Sequence, residues 1–217
     1  MTRTPWLESP IIESCVDSVT NAIRAEQNGA DRLELCADLH LDGLTPPLAL
    51  LQAVQTAVNI PVKVMIRPRA GDFTSDDSEK VLIRQDIDMC KALGINDFVY
   101  GSLKEGRLVI EDIKAFHTYA QPRSLTIHKA IDYSEAIIGD VMKLVKWSRQ
   151  LPQDSLSILS SGGEATAENG IATLVRMLSL TQNKVELIVA GKVTKSNLDK
   201  LKKILPAPAF HGRNIVS

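Results

Sequence analysis

The sequence predicts one α/β domain, a TIM-type (β/α)8 barrel, and three observations predict it. Short β-rich runs alternate with segments of helical period along the whole 217-residue chain. The strand candidates start every ~20–35 residues, the spacing of βα units. No linker, low-complexity run or composition break divides the chain, so all the units share one domain, 1–217. A doubly wound sheet fits less well, because no strand candidate runs into a G-x-G-x-x-G turn.

The strand candidates are Ile11–Val16, Arg32–Cys36, Val62–Ile66, Phe98–Gly101, Ser124–His128, Leu156–Leu159, Val185–Ala190 and Ala209–His211. The first helix between them is capped by Ser18, carries Val19, Ala22 and Ile23 as its stripe, and stops at Gly29. The second is expected to open with Thr45 as N-cap and Pro46 as first helical residue, with Leu48, Leu51, Val54 and Val58 on one face. The third is capped near Asp76–Ser78, runs through Ile83, Ile87 and Cys90, and ends at Gly94. Later helices are expected over Ile113–Ala120, Ala136–Trp147, Ala167–Leu180 and Ser196–Leu205. After "FHGRNIVS" no residues remain for an eighth helix. The last strand is then expected to show a bare apolar outer face. A second copy of the chain is the economical cover, which predicts a homodimer or higher homo-oligomer.

Composition excludes several function classes. The formal net charge is -1 and the pI about 6.4, so no basic field addresses nucleic acid or an anionic membrane. Aromatics make up 4%, too few for a base-stacking platform. The N-terminal "MTRTPWLESP" has no apolar h-region, and no apolar run approaches the ~20 residues of a membrane span. Cys15, Cys36 and Cys90 cannot all pair, and their spacing is not that of a zinc knuckle. The expectation is a cytoplasmic protein with reduced thiols.

In a barrel, functional groups collect at the C-terminal ends of the strands. The two-residue period places Glu13, Cys15 and Asp17 on one face of the first strand, and Arg32, Glu34 and Cys36 on one face of the second. The third strand gives Lys63, Met65 and Arg67, with Arg69 just beyond; the fifth gives Thr126 and His128, then Lys129 and Asp132. Charges brought together in a confined mouth must be paired. Glu13, Asp17, Glu34, Arg67, His128 and Lys129 are expected to form such a network, either as a site or as satisfied packing. His211 ends the last strand and could face the mouth. Cys15 and Cys36 end sequential strands, hence neighbours at roughly 4.8 Å. A soft thiolate pair suits Cu(I), whereas Zn(II) would take four ligands; two small buried side chains is the plainer reading.

"ESCVDS", "NGADRLELCADL", "DGLTPP", "VMIRPRAGDF", "LTIHKAID" and "LSSGGEA", in that order, resemble the CutC family of copper homeostasis proteins. The likeness is strong from Ile11 to Gly163 and weaker beyond. It implies a cytosolic, oligomeric TIM barrel that handles copper, with Cys15 and Cys36 matching the family's candidate Cu(I) ligands. Departures from the family pattern are Lys129 for an arginine, Ala70 for a glycine, and Lys192 and Arg213 in the loops after the last two strands. The alternative is an enzyme acting on a small anionic metabolite. Arg67, with Arg69 in support, would hold the anion, Glu34 or His128 would move a proton, Lys129 would be an electrophilic partner, and Asp132 is expected beside them at the mouth.

Overall fold

The structure, a computed structural model, describes residues 9–182 and 184–217. Its elements in chain order are β1 (Ile11–Val16), α1 (Val19–Gln27), β2 (Arg32–Leu35), α2 (Leu48–Ala57), β3 (Val62–Met65), α3 (Asp77–Ala92) and β4 (Asp97–Tyr100). There follow β5 (Leu103–Lys104), β6 (Arg107–Leu108), α4 (Ile110–Ala120), β7 (Ser124–Ile127), α5 (Ile137–Ser148), β8 (Leu156–Ser160), α6 (Ile171–Thr181), β9 (Glu186–Val189), α7 (Leu198–Ile204) and β10 (Ala209–Gly212). Eight strands close a parallel barrel in the order β1-β10-β9-β8-β7-β4-β3-β2. Seven α-helices accompany them among the described residues, so the barrel has one helix fewer than a full (β/α)8 fold. The short antiparallel hairpin β5–β6 between β4 and α4 is an addition the sequence pattern does not announce.

The alternation of side chains builds the barrel. Outward residues such as Leu33, Val64, Phe98, Leu125, Leu187 and Phe210 are fully buried and share the main core with the helices. Inward residues form smaller groups: Cys15, Cys36, Met65 and Val99 on one side of the barrel, Leu159, Ile188, Ala190 and Ala209 on the other. Between these apolar groups the barrel interior is charged, with Glu13 and Lys63 buried.

Three expectations are corrected. First, α2 starts at Leu48 with Pro47 at the N-cap position, not at Pro46 behind a Thr45 cap. Pro47 keeps the residue before it out of the helical region, so the helix cannot begin until the second proline is passed. Thr45 serves elsewhere: its hydroxyl accepts the Arg67 N–H at 2.9 Å and donates to Asp86 at 2.7 Å. Second, α6 begins behind Gly170 rather than at Ala167. A Cβ on Gly170 would lie 1.9 Å from the Ser161 carbonyl oxygen, and this close approach to the loop after β8 delays the helix. Third, β10 has no bare outer face. Phe210 is 0% exposed and belongs to the same core as Leu201 of α7, Leu205 just after it, and Ile215 and Val216 beyond the strand. The case for a second copy as cover therefore loses its basis. By contrast α3 carries the expected cap, a reciprocal box between Asp76 and Glu79. Among the described residues no helix is long and apolar enough to cross a membrane, and all three cysteines are free thiols.

Candidate functional site

Strand register assembles the barrel interior. It sets Glu13 opposite both His211 and Arg32, and Cys15 opposite Glu34. Glu13 accepts from Arg32 Nε at 2.5 Å and lies 2.8 Å from His211 Nδ1 and 4.0 Å from Lys63 Nζ. Arg32 also reaches Glu186 at 3.0 Å, and Lys63 donates to Thr126 at 2.7 Å. Burial alone would raise the Glu13 pKa, but Arg32, His211 and Lys63 outweigh it and hold the carboxyl well below its ordinary value. Burial opposes a charge on His211, yet Glu34 and Glu13 raise its pKa. Lys63 is lowered by burial despite Glu13 beside it.

The expected network is thus real in kind but different in membership. Asp17 leaves it to bond the Asn21 side chain at 3.0 Å, and Arg67 and Lys129 make no ion pair with Glu13 or Glu34. Arg32, Lys63, Glu186 and His211 take their places. The period of two already puts Arg32 and Lys63 on these faces, and Glu186 has the parity of Ile188 and Ala190; what parity does not carry is which of them pair.

Above this layer sits the thiol pair. Cys15 Sγ and Cys36 Sγ are 3.6 Å apart, and Cys15 Sγ is 3.4 Å from Glu34 Oε1. The glycine at Gly43 (φ +86) lets the loop after β2 close over Cys36, since a Cβ there would stand 3.3 Å from its sulfur. The hydrogen bond with Cys36, burial, and the Glu34 carboxylate push the Cys15 thiol well above its ordinary pKa. Burial, then the charge of Glu13, raise Glu34, with His211 and Cys15 opposing in part. Glu34 Oε2 is buried without a hydrogen-bond partner. One ligand atom from each of Cys15, Glu34 and Cys36 lies within 4.8 Å of the others. Two soft thiols with one carboxylate fit a monovalent soft ion and fall short of the four ligands of structural zinc. Glu13, Glu34 and His211 form a second such group, but Glu13 is already committed to Arg32.

A cavity of about 500 Å³ opens onto the Cys15 thiol, lined by Cys15, Glu34, Met65, Arg67, His128 and His211 among others. It brings four of the five residues expected at the mouth to one place: Glu34, Arg67, His128 and Lys129 all line it. Asp132 does not. Its carboxylate accepts from Ser160 Oγ at 2.5 Å, Ser161 N at 2.9 Å and Gly163 N at 3.0 Å, which ties down the loop after β8. Arg67 is held by the carbonyls of Leu41, Gly43 and Gly71 at 2.9, 3.2 and 2.8 Å and lies over the Phe73 ring at 4.8 Å. Arg69 turns to Glu79 and Asp72. His128 Nδ1 accepts the Ala130 N–H at 3.1 Å, which leaves the proton of the neutral ring on Nε2.

Burial, then the Arg67 charge, pull His128 down to about 3 from 6.5. A histidine depressed in the folded state contributes stability that is complete above pH 6.5 and is lost as pH falls toward its folded value. Between pH 7 and 5, His128→Gln should therefore lose less stability than the wild type, by up to ~2 kcal/mol in urea unfolding. Equal losses would show that His128 titrates normally.

Three comparisons with known proteins agree. The family model described as "CutC family" matches residues 10–215. A human protein named "Copper homeostasis protein cutC homolog" is 34% identical over 202 residues, covering 93% of this chain and 72% of its own. A protein of Histophilus somni named as a family protein CutC is 32% identical over 201 residues, covering 92% and 80%. The crystal structure of a CutC protein from Streptococcus agalactiae superposes with a TM-score of 0.85 at 25% identity, covering 95% of this chain and all of the other.

Proposed function

The chain belongs to the CutC family, and from that membership and the buried thiol pair we propose that it handles copper in the cytoplasm, binding Cu(I) through Cys15 and Cys36. The observation that carries the reading is the 3.6 Å approach of two free sulfurs beside the Glu34 carboxyl, whose Oε1 lies 3.4 Å from Cys15 Sγ and whose Oε2 is buried without a partner. Soft d10 ions prefer thiolates, and a buried site with two of them favours Cu(I) over the harder divalent ions. The relatives named as copper homeostasis proteins support the same direction.

Each residue has a task in this reading. Cys15 and Cys36 are the ligands. Glu34 fixes the Cys15 sulfur through its Oε1, and its unpartnered Oε2 sits next to the incoming charge. His211 and Glu13 hold Glu34 in turn, through contacts of 3.8 and 2.8 Å to the imidazole. The Cys15 thiol is held protonated before binding, and uptake displaces its proton.

Reduced protein titrated with Cu(I) against a competing chelator should take up about one ion per chain. The near-ultraviolet absorption of Cu(I)–thiolate bonds should rise in step with uptake. Binding without that absorption would sink the proposal.

A further inference from the structure

We propose that the barrel mouth is also a binding site for one small organic anion, with its charged group at Lys192 and Arg213 and its apolar body against Phe73 and Met65.

The loops after β9 and β10 carry the charge. These are the seventh and eighth strands of the barrel, counted along the chain, the position at which this fold most often holds an anion. Both Lys192 and Arg213 line the cavity, and both are exposed. Neither has an ion-pair or side-chain hydrogen-bond partner among the described residues. Gly191 (φ +97) and Lys192 (φ +53) are both left-handed, and the N–H groups of Gly191, Lys192 and Val193 enter no hydrogen bond among the described residues. Consecutive free N–H groups in a turn are an anion-binding feature independent of the side chains.

Arg67 supplies a third, separate observation. It is 7% exposed, its guanidinium hydrogen-bonds only to neutral carbonyls and lies over the Phe73 ring, and its Nε is buried without a partner. No carboxylate forms an ion pair with it, though Asp42 acts on it from a distance, so its charge is only partly balanced in the cavity it lines. Arg67 is already spent on loop carbonyls, so it holds the field while Lys192 and Arg213, which have free donors, make the contact. The cavity also holds the carboxylates Glu34 and Asp42, and its apolar wall is formed by Met65, Phe73, Leu159 and Val193. A volume of about 500 Å³ suits a compact metabolite and no macromolecule. The occupant is therefore a carboxylate or phosphate on a small apolar body.

The site does not depend on the copper reading, and the test separates them. Calorimetry on the reduced, copper-free full chain would use phenyl phosphate, benzoate and neutral benzyl alcohol as probes. At least one of the two anions should bind with a Kd below ~10 mM while the alcohol does not. The stronger of the two identifies the headgroup. The Lys192→Ala/Arg213→Ala variant, altered only at exposed side chains, should bind that anion at least ~10-fold more weakly and keep its Cu(I) stoichiometry. Unchanged anion affinity in the variant, equal binding of the alcohol, or no binding of either anion would each overturn the proposal.

Discussion

Glu13→Gln is expected to lower the free energy of unfolding by about 3–5 kcal/mol, the cost of removing one partner from a buried ionic group. The carboxylate sits at 0% exposure among Arg32, Lys63 and His211. Glutamine keeps the shape and removes the charge, so Arg32 keeps only Glu186, and Lys63 faces a positive neighbour with less to balance it. Urea unfolding measures the loss. Asp72→Asn is the control, because the Arg69–Asp72 pair is 40% and 66% exposed and solvent screens such pairs. A Glu13 variant no less stable than the control would mean that the interior charges are not coupled. The same carboxylate sets an acid limit. Its folded pKa lies below the ordinary 4.5, so its contribution is complete above pH 4.5 and declines as pH falls toward the folded value.

The second large effect concerns the sulfurs. Cys15→Ser/Cys36→Ser should weaken Cu(I) binding by more than ~100-fold, beyond the 10–100-fold that a residue next to the ligands contributes. Serine keeps the size within a fraction of an ångström but replaces a soft donor with a hard one. Both residues lie in the small group with Met65 and Val99 rather than in the main core, so the fold should survive. Glu34→Gln should fall between the double variant and wild type, because it acts through Cys15 at 3.4 Å. Competition against a chelator of known affinity reads all three. Equal affinity in the double variant would remove Cys15 and Cys36 from the account.

Much of this was legible in the sequence for one reason: a strand alternates strictly, so parity assigns each residue to the core or the interior. Glu34, Cys36, Arg67 and His128 were placed by that rule, and the eight barrel strands fell where the pattern put them. What the rule omits is partners. Arg67 was expected beside Glu34, but its donors go to Leu41, Gly43 and Gly71, carbonyls whose positions depend on loop conformation. Asp132 was read into the mouth because it follows His128 in one motif. A short 3-10 turn over Lys129–Tyr133 instead aims it at the loop after β8. His211 looked weak as a lone histidine at a strand end. Its weight comes from barrel closure, which brings the last strand beside the first and sets it opposite Glu13. Closure joins residues 198 positions apart in sequence, a pairing that no local pattern carries.

X-ray absorption at the copper edge of the Cu(I)-loaded protein identifies the atoms that hold the ion. Coordination by Cys15 and Cys36 gives an inner shell with two sulfur scatterers, both lost in the Cys15→Ser/Cys36→Ser variant. A shell of nitrogen and oxygen alone, or one unchanged in that variant, would contradict it.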